Sequence, residues 1–322
     1  MSTPGPIRLS PAVQKARTES RPVVALESSV LAQGLPIPAN RDACVRMSRA
    51  VEQHGATPAV TGIASGIPTL GLEPYDLERF LQRSGVRKVS ARELGLAIAE
   101  RADGATTVAA TLVLARLADV EVMATGGIGG VHRVLPGAHP ATTVRDESAD
   151  LVELARSRLV VVCSGAKSIL DLPATWERLE TLGIPVLGYR TDELPGFFTA
   201  ETGIRLASCV ESVTQIAAVA RAHWSLGNRQ SVLVVQSPPA KHALSGAQIE
   251  MAVERALAEA ERNGIHGAAV TPFLLEAVSR FTDGRSLDVN LALLEQNSAL
   301  AAEIACTLYA TRAPSGQRSR GV

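Results

Sequence analysis

Short apolar, β-branched runs alternate with longer segments of helical period, and no other feature of the chain constrains its fold as strongly. The runs lie at residues 23–26, 59–63, 121–124, 159–163, 185–189, 205–207 and 231–235. Several, such as VVAL, VVVC and VLVV, have no polar alternation, so both faces of those strands must be covered. Between them, apolar residues recur at helical steps: Ala43, Met47, Ala50 and Val51 in one segment, Ile249, Val253, Ala256, Leu257 and Ala260 in another. Each stripe needs a sheet to cover. The pattern predicts an α/β layered fold around a largely buried sheet.

Gly/Pro-rich pieces such as SGIPTLGLEP and GGIGGVHRVLPGAHP fall between the expected elements, yet no composition shift divides the chain. One catalytic-sized domain over residues 13–312 is expected, with disordered tails at 1–12 and 313–322, where apolar periodicity is missing. The 322 residues carry 32 basic and 32 acidic side chains and 46% hydrophobic residues. That balance provides a sizeable core but no basic field to gather nucleic acid or anionic lipid, so a small-molecule ligand is expected. No apolar stretch approaches the ~20 residues of a membrane span, and the N-terminus lacks a signal-peptide core, which predicts a cytoplasmic protein. Cys44, Cys163, Cys209 and Cys306 lie far apart without a C-x-x-C pair and are expected to be buried free thiols.

Only four of the 32 basic residues are lysine: Lys15, Lys88, Lys167 and Lys241. Lys167 follows the apolar run of VVVCSGAKSILDL, in what reads as the first turn of a helix. There the macrodipole and apolar surroundings disfavour an ammonium, and a neutral amine can attack a carbonyl to form a Schiff base, which an arginine cannot do. A solvated lysine at a helix start is the alternative. Glu27 ends the run VVALE, at the carboxyl end of an interior strand, where ligands of open α/β sheets gather. It suits a general acid or base, or else a cap or ion-pair partner.

In GATTVAATLVLARL, Thr106, Thr107 and the following helix start offer a phosphate cradle, although capping alone accounts for the pattern. Gly126, Gly127, Gly129 and Gly130 imply close backbone approach to a ligand or a plain tight turn. They do not form a dinucleotide fingerprint, because His132 stands where a glycine would be required. RDESADL places Asp146, Glu147 and Asp150 close together, with Ser148 suited to cap the next helix. Such carboxylates favour Mg²⁺ or Mn²⁺ held partly by water, or simply complement the helix dipole. Asn290 and Asn297 share a helical stripe with Leu293, Leu300, Ala301, Ile304 and Leu308, and amides on an apolar face need partners.

Taken in order, ALESSVLAQGLPIPAN, RKVSAREL, DGATTVA, ATGGIGGVHR, SADL, VCSGAKSILDL and TPFLL resemble the signature run of the pseudouridine-5'-phosphate glycosidase family, also called pseudouridylate synthases and related to indigoidine-cluster A proteins. The resemblance covers nearly the whole chain. It implies a three-layer α/β/α fold around a mixed sheet, a homotrimer, and a Mn²⁺-dependent enzyme, with Mg²⁺ or another divalent ion as substitute. The implied reaction is reversible cleavage of the C–C glycosidic bond of pseudouridine 5'-phosphate to uracil and ribose 5-phosphate through a lysine imine at C1'.

By motif position the resemblance makes Lys167 the nucleophile and Glu27 the proton donor. Lys88, Val108, Ser148, Ala149 and Asp150 become substrate contacts, Asp146 the metal ligand, and His132 and Asn290 further site members. Two departures stand out. Ala32, Gln33 and Gly34 occupy a stretch where the family often carries S-H-G, and the connection from His132 to Asp146 is long, with His139 in it read as a solvated loop residue. Competing readings are a Schiff-base lyase or aldolase acting on another phosphosugar, and a non-catalytic phosphosugar-binding module, which would need no amine at Lys167.

Overall fold

The strongest apolar runs become the strands at the centre of one sheet. A computed structural model describes residues 7–133, 146–265 and 270–311. Its first half contains β1 (Arg8–Leu9), α1 (Pro11–Thr18), β2 (Val23–Leu26), α2 (Ala39–Gln53), β3 (Thr57–Ala64), β4 (Ile67–Leu70), α3 (Pro74–Leu81), β5 (Arg87–Val89), α4 (Leu94–Ala99), β6 (Gly104–Thr106), α5 (Val108–Leu117) and β7 (Val122–Ala124). The second half contains α6 (Ala149–Leu154), β8 (Val160–Cys163), α7 (Leu172–Thr181), β9 (Val186–Tyr189), β10 (Cys209–Val210), α8 (Val213–Ser225), β11 (Val232–Val235), α9 (Gly246–Arg262), α10 (Val270–Phe281) and α11 (Arg285–Ala310).

The sheet runs β1-β4-β3-β2-β7-β8-β11-β9-β10, with β6 against β3 and β5 against β6. Pairing is parallel except between β3 and its neighbours β4 and β6. Every residue of β2, β8 and β11 is buried, as their unbroken apolar composition requires. Helix α11 packs with α2 and α8 and crosses β2, β7 and β8; α5 packs with α6 and covers β2, β3 and β7. The expected three-layer α/β/α fold with a mixed sheet is what forms.

Four differences from the sequence reading have local causes. The stretch SGIPTLGLEP, read as a connection, holds β4: Ser65 and Gly66, both with positive φ, turn the chain back so that Thr61 pairs with Leu70. The run at 205–207 is not a ladder strand; Arg205 makes only an isolated bridge to Glu193, and Cys209–Val210 pairs with β9 instead. Residues 8–12 are not a disordered tail, because Arg8 and Leu9 pair with Thr69 and Leu70 and Ser10 caps α1. The C-terminal tail at 313–322 lies outside the described residues. Finally, burial pushes the Cys44 thiol up to about 11 and Cys163 up to about 12, as expected of inert core thiols. Cys209, however, starts a two-residue edge strand and is exposed, and Cys306 is half-buried.

Candidate active site

The chain order reverses beside β2: β3 follows on one side, whereas β7 closes the other. A crevice opens at such a switch point, outside the carboxyl ends of the strands. Here a cleft of about 510 Å³, open mouth included, is lined by Glu27 and Ser29 after β2, Gly126 and Gly127 after β7, and Lys167 after β8. Lys88 of β5, Gln33 of the π turn Val30–Gly34, and Phe197 complete the floor and sides. Thr271, Pro272 and Leu275 of α10 and Asn290 of α11 form the remaining wall.

Glu27 is 4% exposed. Its Oε2 is 2.6 Å from the Ser29 hydroxyl and its Oε1 is bonded to the Thr125 hydroxyl. A hydroxyl can donate to a carboxylate or accept from a carboxylic acid, so this setting serves the group before and after it gives up a proton. Thr125 is held in turn from behind: the Asn297 amide donates to the Thr125 carbonyl at 2.9 Å, and its Oδ1 accepts from Gln236 at 2.9 Å. Asn297 thus ties the ends of β7 and β11 together, while Asn290 faces the cleft with its Oδ1 buried and unpartnered among the described residues.

Lys167 is not in a helix. Its N–H donates to the Ile128 carbonyl at 3.1 Å, and α7 begins only at Leu172 behind its cap Asp171. The dipole of α7 therefore does not act on the amine, contrary to the helix start expected from the sequence. What delivers Lys167 is a tight crossing of two irregular segments, 126–133 and 164–171. At Gly165 φ is +84°, and a Cβ would meet the Pro195 carbonyl oxygen at 1.9 Å, so only glycine fits. The glycines after β7 have a similar cause, since a Cβ on Gly129 would meet Ser148 Oγ at 2.2 Å and one on Gly130 would meet Thr175 Oγ1 at 2.3 Å. Their close approach is to protein; only Gly126 and Gly127 border the cleft.

A second cluster adjoins the Lys88 edge. Asp150, buried near the start of α6, accepts from the Gly129 N–H and from the Ala109 N–H of α5, both at 2.8 Å. Ser148 caps α6, as its sequence position predicts. Thr106 is spent in a buried hydroxyl network with Ser28, Thr61 and Thr111, and the Thr107 hydroxyl accepts from the Ala110 N–H. The expected threonine cradle is therefore committed to the fold, which leaves the Val108 N–H at the first turn of α5.

Lys88 is exposed along its length, but its amine end lies among Lys167, Asp150, Glu27 and Glu93. Burial pushes it below the ordinary lysine range and the Lys167 charge adds to that shift, against the three carboxylates. Burial likewise lowers His132, with Asp146 opposing.

Of the residues expected from sequence, Glu27, Lys88, Lys167 and Asn290 meet in the cleft, while Val108, His132, Ser148, Ala149 and Asp150 lie outside its lining. Asp146 is largely exposed, its Oδ2 3.9 Å from His132 Nε2. No group of three Asp, Glu, His or Cys side chains comes close enough together to hold a metal ion among the described residues. A single carboxylate beside one imidazole fits at most a divalent ion that retains most of its water, and does not fit a closed protein cage. His139 lies outside the described residues. Sequence reasoning gave no role to Ser29, Thr125 or Phe197; the hydroxyl two residues after Glu27 was the one local signal available.

The family model described as indigoidine synthase A like protein matches residues 12–307. A pseudouridine-5'-phosphate glycosidase of Gemmatimonas aurantiaca is 57% identical, covering 94% of this chain and 96% of its own. One from Herpetosiphon aurantiacus is 48% identical over 94% and 97%. Among solved structures, the prealnumycin C-glycosynthase AlnA in complex with ribulose 5-phosphate superposes with a TM-score of 0.85 at 37% identity, covering 96% of this chain and 98% of that one. An indigoidine synthase A-like protein from Thermotoga maritima gives 0.84 at 37% identity, covering 94% and 96%. The chain belongs to the indigoidine synthase A like family, the one that includes the pseudouridine-5'-phosphate glycosidases.

Proposed function

We propose that this chain is a pseudouridine-5'-phosphate glycosidase that splits its substrate reversibly into uracil and ribose 5-phosphate. The observation that carries the reading is the convergence of Lys167 and Glu27 on one cleft at the sheet's switch point, in a chain 57% identical to a relative of that name. Carbon-linked uracil is a poor leaving group, and a lysine imine supplies the missing electron sink. In the cleaving direction the C1'–O4' bond opens and O4' takes a proton, while the Lys167 nitrogen bonds to C1' and loses one. Glu27 delivers a proton to C5 of the uracil. The nitrogen lone pair then forms the imine, and the C5–C1' electrons return to the pyrimidine ring. Water hydrolyses the imine, releasing ribose 5-phosphate and the free amine.

In this reading Lys88 holds the phosphate, and the Val108 N–H, at the first turn of α5 beyond the cleft lining, would add to it where the phosphate extends that way. The buried carbonyl oxygens of Asn290 and Gln33, unpartnered among the described residues, suit the N–H groups of uracil. Asp146, with His132 beside it, would hold Mn²⁺ or Mg²⁺ largely through water, and such an ion would neutralise charge on the sugar phosphate. The reading extends to a homotrimer in the cytoplasm; among the described residues no helix is long and apolar enough to cross a membrane.

The test is chromatography of products from pseudouridine 5'-phosphate and Mn²⁺, with borohydride reduction and mass spectrometry of the enzyme. Uracil, ribose 5-phosphate and an adduct on Lys167 are expected. The neighbour's complex with ribulose 5-phosphate favours one rival, a C-glycoside enzyme acting on another pentose phosphate. Inactivity on pseudouridine 5'-phosphate together with turnover of such a sugar would decide for it.

A further inference from the structure

The Lys167 loop is buried on both sides of the lysine, yet it forms neither helix nor ladder strand; Ser168 is 3% and Leu170 2% exposed. Buried carbonyls need donors, and no secondary structure supplies them here. Arg133, directly after His132, does so. Its Nε donates to the Leu170 carbonyl at 3.1 Å and its Nη2 to the Ser168 carbonyl at 3.2 Å. The same guanidinium pairs with both carboxylate oxygens of Glu250 on α9, the Nη2 contact being 2.9 Å.

Arg133 does not border the cleft. It lines a separate hollow on the other face of the loop, with Gly196, Thr199, Thr202 and Glu250. The hydroxyls there are committed to protein carbonyls: Ser168 to Gly196, Thr199 to Glu201 and Thr202 to Leu194. The guanidinium charge is met by Glu250, and four of its five N–H groups are committed to Glu250 and the two loop carbonyls. Its remaining work is on the loop.

We propose that Arg133 is a positioning residue for Lys167: its fork, oriented by Glu250, holds the two carbonyls just beyond the lysine and fixes where the amine stands relative to the sugar. A single ammonium cannot meet two carbonyls and a carboxylate in that planar arrangement, so lysine is no substitute. Glu250 is half-exposed, and the charge part of its pairing is correspondingly weak.

The inference rests on the proposed imine, so the experiment measures the imine directly. The full chain and its Arg133→Lys, Arg133→Gln and Glu250→Gln variants are incubated with ribose 5-phosphate and borohydride, the Lys167 adduct is followed by intact mass, and kcat and KM are measured alongside. Arg133→Lys is expected to trap about 100-fold more slowly, the scale of a misplaced reacting group, with KM within about threefold of wild type. Glu250→Gln, which retains both carbonyl bonds, is expected to stay within about threefold in trapping rate.

Wild-type trapping in Arg133→Lys would overturn the positioning role; an equal loss in Glu250→Gln would uphold it but make the carboxylate that orients the fork as necessary as the fork itself. Should the Lys variant fail to fold, Arg133→Gln carries the same comparison, because its carboxamide still reaches one carbonyl. Absence of any adduct in wild type would instead bring down the imine reading itself.

Discussion

Glu27 stands where a reader of the sequence would place it, because the end of an interior strand is a location that composition marks. Its partners are not so marked: Thr125 lies 98 positions away and reaches it only through the parallel pairing of β2 with β7. Glu27→Gln keeps the shape but has no proton to deliver, so the imine formed from ribose 5-phosphate should still be trapped while uracil release from pseudouridine 5'-phosphate falls by about 10²–10⁴-fold. Full uracil release in that variant would remove Glu27 from the mechanism. The lowered Lys88 gives a pH prediction. A lysine binds phosphate while protonated, so a group titrating below the ordinary 10.5 loses its charge earlier as pH rises. KM for pseudouridine 5'-phosphate should therefore climb on the alkaline side, and Lys88→Arg should move that climb to higher pH. An unchanged alkaline limb in the Arg variant would show that another group sets it.

At the scale of elements, the strands that the sequence made legible are those buried on both faces, where apolar residues run without interruption. Those it did not are short or lie towards the sheet edge, as β1, β4, β5, β6 and β10 do, and owe their pairing to neighbours rather than to their own two to four residues. GAKSILDL misleads for a related reason. Its apolar spacing imitates a helix start, but Gly165, the Ile128 carbonyl and Arg133 hold it open, and all three constraints come from the tertiary fold. Asn297 shows the reverse, a polar residue on an apolar stripe whose position signalled a buried partner. It is fully buried and bonds to groups at the ends of β7, β8 and β11. Asn297→Leu retains the volume and leaves those groups unpaired, which should cost about 2–3 kcal/mol in urea unfolding. A midpoint and slope equal to wild type would mean that water takes over its bonds.

At the scale of the whole molecule, the cleft is assembled from residues as far apart in sequence as Glu27 and Asn290, contributed by β2, β5, the segments after β7 and β8, α10 and α11. None of these pieces makes the site alone, so binding stabilises the fold only as a unit. Ribose 5-phosphate at about 100 times its dissociation constant should add about 2.7 kcal/mol to the stability of the native state. In a protein of this size that amounts to a rise of several degrees in the melting temperature. If residues 13–312 are one domain, calorimetry should show a single transition that moves as a whole. Lys167→Ala should keep the part of the shift due to phosphate contacts and lose the part due to the imine. Two transitions, of which the sugar phosphate moves only one, would instead divide the chain into separate folding units and place the cleft within one of them.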